Sequence, residues 1–85
     1  MTSLPHAQDT IRRVLREHGR LAVDADRLAA DADLAQAGLT AHARLNVMFA
    51  LEGEFEVEFP EPMIRRDVFR SIRSIESALR ELIAA

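Results

Sequence analysis

Apolar residues at Leu4, Ala7, Ile11, Val14 and Leu15 recur at three- and four-residue steps, the spacing of one face of an α-helix. Ser3 is placed to cap that helix, and Pro5 falls in its first turn, where a missing N–H costs nothing. Gly19 is placed to end it. A first helix over about residues 4–18 follows, with Arg12, Arg13, Arg16 and Glu17 on its wet side. From 19 to 39 the period is lost, and Leu21, Val23, Leu28, Leu34 and Leu39 are scattered among Asp and Ala until Gly38 closes the segment. A connection that long in a small domain usually has a job. Its leucines are expected to fold back onto the helices, with a short helical turn around Ala25–Ala30.

Thr40 can cap a second helix, along which Leu45, Met48, Leu51 and Phe55 continue the helical spacing to about residue 54. Phe55-Glu56-Val57-Glu58-Phe59 then alternates apolar and polar residues before Pro60. That is a strand pattern, but a single short strand needs a partner and the chain offers none. The segment therefore reads as an extended connection whose Phe55, Val57 and Phe59 plug the core. Glu61 to Arg66, with Pro62 in its first turn, predicts a brief third helix carrying Met63 and Ile64 inward. Asp67 or a neighbour restarts the chain as a last helix with the stripe Val68, Phe69, Ile72, Ile75, Leu79, Leu82 and Ile83. Arg70, Arg73, Glu76, Arg80 and Glu81 are expected to face water.

Composition fits this picture. The 85 residues are 48% hydrophobic, with four Phe and neither Trp nor Tyr, so the core is aliphatic and suits helix packing. One domain over residues 1–85 is expected, of all-α class: three main helices, one short helix, and a long loop between helices 1 and 2. A domain of this size buries roughly 60–65% of its unfolded surface, too little for a deep enzymatic pocket with a lid. Cysteine is absent, which removes disulfides, thiolate metal sites and a Cys nucleophile. With no signal-like N-terminus and no apolar run approaching the ~18 residues of a membrane span, a soluble, cytoplasmic protein is expected.

The net charge of −3 is unevenly spread. Residues 51–61 hold Glu52, Glu54, Glu56, Glu58 and Glu61 without a single base. Such a centre repels phosphates and suits an Arg-bearing protein partner. The eleven Arg are dispersed and interleaved with acids, so a nucleic-acid-binding domain is the weaker reading.

Asp33-Leu34, Gly38-Leu39-Thr40-Ala41-His42 and the run from Ala50-Leu51-Glu52 to Phe59-Pro60 resemble, without gaps, the central segment of acyl and peptidyl carrier proteins. The order of helices agrees with an acyl-carrier-protein-like bundle. In that family the residue three after the Gly is a serine at the start of helix 2, which receives 4′-phosphopantetheine from coenzyme A. Here that position is Ala41. Thr40, His42, Ala43 and Asn46-Val47-Met48 resemble the subgroup loaded by amino acid:[carrier protein] ligases, relatives of class II aminoacyl-tRNA synthetases. A single serine-to-alanine replacement, engineered or natural, accounts for the departure.

The resemblance implies a carrier that holds an aminoacyl or acyl thioester on the arm at position 41 and delivers it to partner enzymes, without being an enzyme itself. Its partners would be the loading ligase, or another loading enzyme, and, for a form with serine restored, a phosphopantetheinyl transferase; nucleic acid and membrane are not among them. Attachment needs a hydroxyl to attack the coenzyme A pyrophosphate, and alanine has none. The N-terminus of helix 2 would favour the arm's phosphodiester. Thr40 carries a hydroxyl, but its role is the cap. Ser3, Ser71, Ser74 and Ser77 lie away from the start of helix 2. His6, His18 and His42 are too scattered for a metal site.

Partner contact is expected from Thr40, His42, Arg44, Met48, Glu52, Glu54 and Glu56, with Leu45 placed in the core. The acidic run also reads as plain solvated surface. The alternative function is an arm-less, carrier-like interaction module.

Overall fold

The computed structural model describes residues 6–65 and 67–84, so the caps expected at Ser3 and Pro5 lie outside the described residues. Four helices form: α1 (Ala7–His18), α2 (Ala41–Phe55), α3 (Glu61–Arg65) and α4 (Ile72–Ala84). Single 3₁₀ turns at Ala25–Arg27 and Val68–Arg70 interrupt the connections, and no strand occurs among the described residues.

The core is built from one stripe of each long helix. Ile11, Val14 and Leu15 of α1, Val47 and Leu51 of α2, and Ile72, Ile75 and Leu79 of α4 are almost wholly withdrawn from water. Each such side chain contributes on the order of 1.5–3 kcal/mol. α1 packs against both α2 and α4, and the pairing with α4 includes a polar tie. Glu76, expected to face water, turns toward α1, where Gln8 Nε2 donates to its Oε1 at 2.9 Å. That hydrogen bond, helped by Arg80, holds the Glu76 carboxyl below the usual carboxylate range.

Several helix ends differ from the sequence reading. Gly19 stays right-handed at φ −81° and closes α1 through its N–H to Leu15 O; Arg20 takes the left-handed position at φ 50°. The last helix begins at Ile72 rather than near Asp67, because Ser71 and Ser74 cap one another. Ser71 Oγ accepts from Ser74 N at 3.1 Å, and Ser74 Oγ accepts from Ser71 N at 2.9 Å. This reciprocal pairing satisfies backbone donors that a helix start leaves open. Of the inward pairs expected near the C-terminal half, Met63 is buried while Ile64 is exposed, and Ile83 at the end of the α4 stripe is also exposed.

The long loop is ordered by hydrogen bonds it does not make with itself alone. Arg12, read as a wet-face residue, sends Nη1 to Ala25 O and Leu28 O, both at 2.7 Å. Leu34 N–H donates to Arg70 O at 2.8 Å, and Ala30 O accepts from Arg73 N at 2.8 Å. Leu34 is fully buried, and Leu21, Leu28 and Leu39 pack against the core as expected; Val23 instead is half exposed. Gly38, at φ +109°, closes the loop where an added Cβ would lie 2.9 Å from Ala22 N, so no other residue fits there without strain. At the end of α2 and just beyond it, Phe55, Val57 and Phe59 do plug the core, and Phe59 meets Phe69 with ring centroids 5.6 Å apart.

Arg12→Ala removes two charge-assisted bonds and leaves Ala25 O with only its longer bond from Leu28 N, so it should lower stability by about 1–3 kcal/mol in urea unfolding monitored by circular dichroism. Two substitutions in the second half of α2 should do the opposite. Gly53 sits inside the helix with nothing within 4 Å of an added Cβ, and Glu56 caps it at a left-handed φ of 54°. In the same assay Gly53→Ala and Glu56→Gly should each raise stability by about 0.5–1 kcal/mol.

Candidate functional site

The start of α2 gathers the residues singled out in the sequence. Thr40 is extended (φ −82°, ψ 165°), and its Oγ1 accepts from Ala43 N at 3.1 Å, the geometry of an N-cap. The loop delivers it there. Asp33 Oδ1 accepts from Ala35 N and Gln36 N, turning the chain after Leu34, and Leu39 N–H returns to Leu34 O at 2.9 Å. Ala41 is therefore the first residue of α2, exposed, with its Cβ leaving the tip of a helix whose first N–H groups point outward.

Ala41 forms one wall of a cavity of about 340 Å³ together with Leu39, Thr40, Arg44, Phe69 and Arg70. The cavity lies between the start of α2 and the 3₁₀ turn before α4, and the loop leading into α2 is tied to that turn by the Leu34–Arg70 backbone bond. Its charged lining includes two guanidinium groups, Arg44 and Arg70, and two carboxylates, Asp33 and Asp67, while Leu39 and Phe69 make it partly apolar. His42 is exposed beside it.

The remaining expected contact residues divide. Met48, expected to meet a partner, is only 6% exposed and is part of the hydrophobic core. Leu45 reverses in the other direction; expected in the core, it is 47% exposed. Their places differ because the buried face of α2 is centred on Val47 and Leu51, and Leu45 lies across the helix from both. Glu52 uses Oε2 to accept from Phe59 N at 2.9 Å, fixing the connection after α2. Glu54 pairs with Arg13 of α1. Glu56 is exposed past the last turn.

Phe49 is the residue the sequence reading missed. It is 61% exposed in the middle of α2, more than any other large apolar side chain among the described residues. Its signal was its place four residues after Leu45, off the stripe of Met48 and Leu51.

No family model matches the chain. Among curated proteins it is 36% identical over 74 residues to the aminoacyl carrier protein of Agrobacterium fabrum (strain C58), covering 87% of this chain and 89% of the relative. Among solved structures it is similar to the carrier protein from Agrobacterium tumefaciens bound to an engineered Bradyrhizobium japonicum glycine:[carrier protein] ligase. In the complex with ATP the TM-score is 0.86 at 36% identity, over 91% of this chain and all of that one. In the complex with AMP the TM-score is 0.83 at 37% identity, over 86% and 97% of the two chains.

The cap at Thr40 sets where the tip of α2 begins. Thr40→Ala should cost about 0.5–2 kcal/mol in thermal or urea unfolding, while Thr40→Ser, which keeps the acceptor, should stay within a few tenths of the parent.

Proposed function

The chain belongs to the aminoacyl carrier protein family, and on that premise we propose that its function resides at the tip of α2. Position 41 there is the address of a carrier's attachment serine, and the surface around it engages an amino acid:[carrier protein] ligase. The observation that carries the reading is the placement of Ala41, exposed as the first residue of a helix capped by Thr40 and on the wall of a cavity lined by both arginines (Arg44, Arg70) and aspartates (Asp33, Asp67). Thr40, His42, Arg44 and Glu56 remain available to a partner on this reading, whereas Met48, Glu52 and Glu54 serve the fold.

The phosphopantetheine arm does not fit the chain as it stands. Its attachment requires a hydroxyl oxygen at position 41, and Ala41 offers a methyl group. Thr40 does not replace it, because its oxygen is engaged by Ala43 N. With serine at position 41 the protein would carry an aminoacyl or acyl thioester to an acceptor enzyme; with alanine it presents the docking surface without cargo. Ala41 itself thereby supports a second reading, an arm-less module that occupies a partner without being loaded. A nucleic-acid partner is disfavoured because Arg12, Arg13, Arg16 and Arg80 are directed to carbonyls and carboxylates of the protein.

Incubation of an Ala41→Ser form with coenzyme A and a broad-specificity phosphopantetheinyl transferase should add one phosphopantetheine mass by intact-protein mass spectrometry, and the parent chain should gain none. Failure of the serine form to gain mass would sink the carrier reading. Alanine in the genomic codon for position 41 would favour the arm-less module over the carrier.

A further inference from the structure

We infer that the cavity beside Ala41 is a binding site for a free α-amino acid with a small aliphatic side chain, its carboxylate held by Arg44 and Arg70 and its ammonium by Asp33 and Asp67. This inference goes beyond the carrier reading and does not depend on it, because the ligand class follows from the charges of the cavity.

Each wall supplies one base and one acid. The loop and the start of α2 bring Asp33 and Arg44, and the 3₁₀ turn before α4 brings Asp67 and Arg70. None of the four makes an ion pair among the described residues. Elsewhere the chain does not leave such charges apart: Arg13, Arg16, Arg73 and Arg80 each lie within 4.0 Å of an acid. Opposite charges that line one cavity without meeting leave room for a ligand that carries both signs itself.

The main chain sets where these groups stand. Asp33 Oδ1 is committed to the N–H groups of Ala35 and Gln36, which leaves Oδ2 without a hydrogen bond among the described residues. Arg70 is fixed through both its backbone groups, its N–H donating to Asp67 O at 3.4 Å and its O accepting from Leu34 N at 2.8 Å. Arg44 follows in the first turn of α2, with its N–H bonded to Thr40 O. The backbone is therefore ordered before a ligand arrives, which lowers the entropy lost on binding.

Charge and size select the occupant. Two bases and two acids leave the lining without net charge, so a polyanion or a lone cation meets repulsion as well as attraction, whereas a zwitterion satisfies both signs. The volume of about 340 Å³ lies at the low end of small-molecule pockets, roughly 300–1,000 Å³, and holds a small amino acid with a few waters. Leu39 and Phe69 offer its side chain an apolar wall.

Titration of the isotope-labelled chain with L-valine, followed by backbone amide shifts in NMR spectra, tests the assignment. L-valine methyl ester keeps only the ammonium, as an amino group at the end of an ester or a chain would, and isovalerate keeps only the carboxylate. L-valine should move the amides of Leu39, Ala41, Arg44 and Arg70 saturably, with a Kd of about 1–10 mM, as expected for ion contacts open to water. At matched ionic strength the ester and isovalerate should bind at least about tenfold more weakly. Arg70→Gln and Asp67→Asn alter exposed side chains, so they should keep the parental far-UV circular dichroism while each raises the Kd about three- to tenfold. The site is overturned by the absence of saturable shifts, by either single-charge analogue binding as tightly as L-valine, or by parental affinity in both variants. Phosphopantetheinylation of the Ala41→Ser form judges the carrier reading separately, so a mass gain without saturable L-valine shifts would retain the carrier and reject this site.

Discussion

One guanidinium group sets much of the geometry of this protein. Arg12 reaches from α1 to the carbonyls of Ala25 and Leu28, in the middle of a segment that has no regular period of its own. Without such anchors, ordering that segment would be a loss of chain entropy with little return. With it, Leu34 is brought into the core and its N–H to Arg70 O, and the chain arrives at Thr40 in the extended conformation that a helix cap requires. The place of Ala41 thus depends on a cation twenty-nine positions earlier in the chain.

The acidic run shows how the fold and the surface divide the same residue type. Glu52 and Glu54 look alike in sequence to Glu56 and Glu58, yet the first two hold the connection after α2 and the α1–α2 contact. The latter pair lies exposed. Position on the helix makes the difference: residues within α2 reach neighbouring backbone and side chains, and residues beyond its end reach solvent.

The helices were legible because their apolar spacing is regular and their stops involve Gly and Pro. The position proposed as the attachment address stands out in the sequence because Gly38, Thr40 and His42 surround it in order. What the sequence hid were long-range choices. Arg12 reads as a wet-face residue because its partners are main-chain oxygens, which leave no mark in a sequence. Leu45 and Met48 exchange roles because both suit either side of the buried stripe, and only the face that α2 turns toward α1 decides between them. The reciprocal bond of Ser71 and Ser74 moved the start of α4 by several residues, since Asp67 is an equally good cap by type.

The long loop is joined to the rest of the molecule largely through backbone atoms: Leu34 N, Arg70 O, Ala30 O and Arg73 N. Ala29, Ala35 and Gln36 are exposed just outside those ties. Side chains at such positions can change without disturbing the bonds that order the segment. The loop is a rigid mount with an interchangeable surface, whose exposed side chains can be rewritten while the tip of α2 stays where it is.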